Sequence, residues 1–183
     1  PGVIDEATIA AIAAAVPRDI ETFLLTAHTD AAATIEQHRR CRTSVLQLVD
    51  AVADEDLKQV RTELPEVKLV QVIHVTGPAS VDEALAAAPL VDALLLDSGN
   101  PQLAIKQLGG TGRTHDWAHS RAIVDRSPVP VWLAGGLNVG NVGAAIEAVR
   151  PYGIDLCSSV RSDGRLDAGK LAAFMAAVRS SAQ

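Results

Sequence analysis

Six apolar runs recur along the 183-residue chain with helix-like patterns between them, and no other feature constrains the fold as tightly. The runs are 21–26 (ETFLLT), 44–49 (SVLQLV), 67–75 (VKLVQVIHV), 91–98 (VDALLLDS), 130–134 (PVWLA) and 153–159 (GIDLCSS). Strands that read as continuous apolar stretches, not as alternation, are buried on both faces, as in a parallel sheet covered by helices. Apolar residues at helical spacing predict helices over 5–16, 30–40, 54–64, 117–125 and 140–149. In the first of these Ile9, Ile12 and Val16 form the apolar face. Asp30 and Asp167 stand where N-caps belong, and Ser80 with Glu83 has the spacing of a capping box ahead of DEALAAA. Leu171, Phe174, Met175 and Val178 give the last helix its buried face. The class is α/β. An open doubly wound sheet accepts six strands, whereas an eight-stranded (β/α) barrel needs two more units.

Composition removes several function classes. The net charge is −6 and only 3% of residues are aromatic, which disfavours a nucleic-acid surface, where basic and stacking side chains are needed. No apolar run approaches the length of a membrane span, and no basic stretch followed by an apolar run opens the chain. A cytoplasmic location is the expectation. Cys41 and Cys157 are too isolated for a disulfide framework or a zinc site, so no metal is expected. Without a linker or repeat, residues 1–183 read as a single domain.

Chemistry is expected at the C-terminal ends of the strands. VPVWLAGGLNVG stops an apolar run at Gly135 and Gly136, and the next strand runs through Asp155 to Cys157, Ser158 and Ser159. Two neighbouring loops of small residues that lead toward helices can aim several backbone N–H groups at one phosphate. The competing reading is a tight turn and nothing more. LLLDSG places Asp97 at a strand end, where partial desolvation suits a general acid; the alternative is a carboxylate that caps the following loop. Asp155 is a candidate of the same kind. LGGTGRTHDW (108–117) fits neither a Walker loop nor a dinucleotide fingerprint and reads as an active-site loop. Its His115 is either a base or a loop-packing residue. Cys157, two residues beyond Asp155 on the same strand and able to face the same side, is expected to be a buried structural thiol, the alternative being a base.

Taken together, LLLDS, GGTG followed by DW, LAGGLN followed by NV, and the DxxS strand end resemble the phosphoribosylanthranilate isomerase family of tryptophan biosynthesis. The resemblance is strongest over residues 90–180. It implies a (β/α)8 TIM-type barrel whose first two strands and first helix are not in this sequence. It also implies an Amadori rearrangement of N-(5-phosphoribosyl)anthranilate to the 1-deoxyribulose 5-phosphate form, with no cofactor. Carried over by position, Asp97 matches the general acid, and Asp155 and Gly110 match substrate-binding positions. Gly135, Gly136, Ser158 and Ser159 match the phosphate-binding loops. The partner implied is a phosphorylated small molecule; nucleic acid and membrane are not expected, and no signal of oligomeric state is present.

The departures from the family pattern are as specific as the matches. The family's base is a cysteine in KICG on the first strand, and neither Cys41 nor Cys157 falls there. Its SPR arginine would fall at or beside Gly2. QLHG becomes Gln47-Leu48-Val49-Asp50, SGVE becomes Ser158-Ser159-Val160-Arg161, and a proline is replaced by Val139. These changes keep an alternative open: a related phosphosugar-binding barrel with another substrate or no catalysis.

Overall fold

The structure is a computed structural model that describes residues 3–99 and 115–181. Its main sheet contains β1 (Phe23–Thr26), β2 (Val45–Leu48), β3 (Lys68–His74), β4 (Ala93–Asp97), β5 (Val131–Leu133) and β6 (Gly153–Ile154). All five pairings are parallel, and the strands lie side by side in chain order. A doubly wound sheet reverses its order at a switch point. This sheet never does, so the topology selects the barrel-type winding left open by periodicity. The connecting helices are α1 (Glu6–Ala15), α2 (Ala31–Cys41), α3 (Asp54–Glu63), α4 (Ala79–Ala87), α5 (Trp117–Arg126), α6 (Val142–Val149) and α7 (Ala168–Ser181).

Alternation along each strand separates two cores. Leu24, Leu46, Leu48, Leu69, Ile73, Leu94, Leu96, Val131 and Leu133 point to the helices, where they meet Ile123, Val142, Ala145 and Phe174. The residues between them, Val45, Val70, Val72, Ala93, Leu95 and Ala134, form a smaller cluster on the inner face with Val49 and Trp132. Trp132 fills this inner space so closely that a Cβ on Gly153 would lie 2.5 Å from its ring. Continuous apolar strands were therefore the right signal for burial on both faces.

Local chemistry sets the helix ends. Asp30 Oδ1 accepts from Ala33 N at 2.8 Å, and Asp167 Oδ1 accepts from Lys170 N at 3.0 Å, so both expected N-caps hold. The Ser80–Glu83 capping box does not form. Ser80 is buried inside α4, where its hydroxyl accepts from Thr76 N and donates to the His74 carbonyl. The helix-forming stretch begins at Ala79, and Pro78 takes the cap position without a side-chain bond.

Three other expectations change. The run 153–159 pairs only through Gly153–Ile154; Ser158–Val160 is a 3-10 turn, followed by a hairpin of β7 (Arg161–Ser162) and β8 (Arg165–Leu166). Its turn residues Asp163 and Gly164 both have positive φ, 49° and 76°, the pattern an Asp-Gly pair favours. On α7 only Phe174 is buried and Met175 is 39% exposed. On α1 no residue is buried and Ile12 is 51% exposed, because α1 packs mainly on α2 and borders an apolar groove beside β1.

Candidate active site

The inner face ends in a row of polar residues. His74 and Asp97 are register partners at the ends of β3 and β4. Each is two residues beyond an inner-face apolar side chain, Val72 and Leu95. Beyond β6, Asp155 N donates to Leu133 O at 2.9 Å and continues the ladder, which brings Asp155 beside Ala134. His74, Asp97, Ala134 and Asp155 thus form one layer at the C-terminal strand ends.

Asp97 is 8% exposed, and its Oδ1 accepts from Ser98 N at 2.7 Å. It does cap the start of its loop, as the competing reading held, and it also lines a cleft of about 70 Å³. That cleft is walled by Ala134, Gly135, Gly136 and Leu137 from one loop and by Asp155, Leu156, Cys157 and Ser158 from the next. Asp155 is open on the cleft side and crowded by protein on the other. Desolvation from that crowding, and secondarily the Asp97 carboxylate, push its pKa above the ordinary carboxylate value, against a Leu156 N–H bond that lowers it.

The two glycines have separate reasons to be there. Gly135 has φ 87° and Gly136 φ 64°, a left-handed region costly for other residues. A Cβ on Gly135 would also lie 2.8 Å from Ser98 N, so the group that approaches this glycine is the β4 strand end that carries Asp97. The Gly136 carbonyl accepts from Asn141 Nδ2 at 3.0 Å, while Asn141 Oδ1 accepts from Asn138 N at 2.8 Å. With its chain pinned this way, the loop leaves the N–H groups of Gly135, Gly136 and Leu137 without an acceptor among the described residues. The same holds for the N–H groups of Ser158 and Ser159, and Ser159 Oγ is buried without a partner. Orphan N–H groups along a cleft beside a loop of this kind form an anion-binding concavity. Loop N–H groups, not the N-terminus of α6, line it, because α6 begins six residues after Gly136.

Gly110 lies outside the described residues, as do Gly2 and most of the GGTG loop. His115 at the end of that loop is partly buried. Its Nε2 meets Ser120 Oγ at 2.6 Å, and desolvation lowers its pKa while Asp97 and then Asp116 oppose that shift. Cys157 is exposed and borders the cleft, which corrects the expectation of a buried thiol; the strand ends at Ile154, before it. Val139 and Arg161, two of the departing positions, are exposed and outside the cleft wall. Sequence reasoning missed His74 and Asn141. The HVTG end of the third run and the LNVGN spacing carried the only signals for them. No group of three or more His, Cys, Asp or Glu that could hold a metal occurs among the described residues.

A family model for N-(5'-phosphoribosyl)anthranilate (PRA) isomerase matches residues 29–177. An N-(5'-phosphoribosyl)anthranilate isomerase of Thermosynechococcus vestitus is 35% identical over 176 residues, 96% of this chain and 74% of its own length. One from Methanocella arvoryzae is 38% identical over 131 residues, covering 72% of this chain, so the chain spans 59% of that relative. Among solved structures, a phosphoribosyl anthranilate isomerase in complex with reduced 1-(o-carboxyphenylamino)-1-deoxyribulose 5-phosphate superposes with a TM-score of 0.77 at 20% identity, covering 97% of this chain and 80% of that one. The likeness in fold makes the six-stranded sheet part of a TIM-type (β/α) architecture. Matched along most of its length in sequence and in fold, the chain belongs to the N-(5'-phosphoribosyl)anthranilate isomerase family.

Proposed function

We propose that this chain carries the acid and phosphate half of an N-(5'-phosphoribosyl)anthranilate isomerase. One observation carries the reading: a cleft at the strand ends combines backbone N–H groups that lack acceptors among the described residues with a buried carboxyl, Asp97. The substrate phosphate accepts from the N–H groups of Gly135, Gly136 and Leu137 and from Ser158 and Ser159. Asp97 in its protonated form donates to the ribose ring oxygen, so that the C1–O bond breaks and C1 forms an iminium with the anthranilate nitrogen. Loss of the C2 proton then gives an enamine, and tautomerisation leaves the ketone of the 1-deoxyribulose product. Asp155 and Gly110 bind the sugar portion, no cofactor takes part, and the reaction belongs to the cytoplasm. No helix among the described residues is long and apolar enough to cross a membrane.

The test is direct. Protein supplied with N-(5'-phosphoribosyl)anthranilate converts it to the 1-deoxyribulose form, and inorganic phosphate competes. Phosphate-sensitive binding of ribose 5-phosphate without conversion favours the alternative, a phosphosugar-binding barrel with another substrate, which the change from QLHG to Gln47-Leu48-Val49-Asp50 supports. Absence of both overturns the phosphate site.

A further inference from the structure

His74 is 7% exposed and ends β3 on the inner face, in register with Asp97. Its Nε2 lies 3.0 Å from the Val49 carbonyl. A carbonyl only accepts, so Nε2 must carry the hydrogen and donate. In the neutral ring this leaves Nδ1 as a bare acceptor, and Nδ1 is buried without a partner among the described residues. A buried acceptor is costly to leave without a donor, and none of the described residues supplies one.

Position separates this histidine from a merely structural one. His38 makes the same kind of bond, Nε2 to the Thr43 carbonyl at 2.7 Å, and also has an unpartnered Nδ1. It lies on α2 near the N-terminal end of β2, the far end of the sheet from the cleft. His74 instead shares the strand-end layer with Asp97 and Asp155, which face the cleft. An acceptor in register with the Asp97 carboxyl, in the layer that also holds Asp155, suits a ligand rich in hydroxyl donors, the chemistry of a sugar chain.

We propose that His74 is a further substrate-contacting residue, whose Nδ1 accepts a hydrogen bond from a hydroxyl of the sugar portion while Val49 holds its ring. The assignment deepens the reading of the site as one for a phosphoribosyl compound. It places the sugar along the β3–β4–β6 strand ends and the phosphate between the loops after β5 and β6.

Two substitutions separate holding from contacting. In His74→Gln the amide nitrogen reaches the Nε2 position and keeps the Val49 bond, but no group remains near Nδ1. In His74→Asn a polar atom sits near Nδ1 and the Val49 bond is lost. The expected result is a Gln variant that melts like the parent with kcat/KM lowered about tenfold, and an Asn variant that is less stable yet more active than Gln. A Gln variant with parental kcat/KM overturns the proposal, as does activity that only follows stability across the pair. A second measurement does not depend on turnover. The ring ¹⁵N resonances of His74 show a bare Nδ1 in the free protein, and Nδ1 shifts when ribose 5-phosphate is added. If the protein does not isomerise its expected substrate but Nδ1 shifts, the isomerase reading fails and the His74 contact stands. If Nδ1 stays unmoved at saturating ribose 5-phosphate, the contact fails whatever the turnover.

Discussion

Asp92 and Asp97 bracket a single strand, β4, and behave in opposite ways. Asp92, just before the strand, is spoken for by the protein: its Oδ2 accepts from Leu69 N at 2.7 Å and pairs with Arg61 at 2.9 Å. Around it the N-terminal strand ends are tied by similar closed exchanges, including Thr22 with Ser44 and the Lys68–Glu21 ion pair. At the other end Asp97 faces a cleft whose N–H groups have no acceptor among the described residues, in a layer with a histidine whose Nδ1, an acceptor, has no donor among them either. One end spends its polar groups on the fold, and the other leaves them for something that binds. That division matches the general rule that βα loops at the C-terminal face carry function and the opposite face carries stability.

The sharpest way to break the comparison is to change one aspartate at a time. Asp97→Asn is expected to lower kcat about 10²–10⁴-fold with an unchanged melting temperature; steady-state kinetics with a thermal melt decide it. Gly135→Ala follows. The positive φ and the 2.8 Å approach to Ser98 N put its cost at about 1–2 kcal/mol, read by urea denaturation, together with loss of phosphate competition. Asp92→Ala sacrifices a charge-assisted bond at a half-exposed position and is expected to cost about 1 kcal/mol, again by urea denaturation, with kcat untouched.

The smallest expected effect concerns pH. Folding raises the Asp155 pKa, so the native state holds its proton more tightly than the unfolded chain does. Stability is therefore fully present below the unfolded value of about 3.8 and declines as pH rises through the folded pKa. Asp155→Asn is expected to melt higher than the parent at neutral pH, with the difference closing below pH 4. A difference that widens toward acid would contradict the desolvation argument.

Much of this was readable in the sequence because it rests on local rules. Six apolar runs gave six strands, and two aspartates before helices gave two caps. Asp97, Gly135 and Gly136 stood out because a carboxylate or a glycine pair at the end of an apolar run is locally unusual. What escaped depends on partners distant in sequence. The Ser80 hydroxyl caps nothing because it finds the His74 carbonyl. The Gly135 requirement comes from Ser98, thirty-seven residues earlier. His74 matters only once the sheet register sets it beside Asp97 and the end of β2 supplies Val49. Met175 and Ile12 followed helical periodicity faithfully, but α7 and α1 have too little neighbouring structure among the described residues to cover a full face.

The central claim is that the C-terminal strand ends hold a phosphoribosyl compound. A crystal structure of the protein with reduced 1-(o-carboxyphenylamino)-1-deoxyribulose 5-phosphate tests it most directly. The prediction is a phosphate within hydrogen-bond reach of the Gly135, Gly136 and Ser158 N–H groups, with sugar hydroxyls toward Asp97, His74 and Asp155. A ligand seated instead in the apolar groove beside β1, or a cleft that stays empty at saturation, would contradict the account.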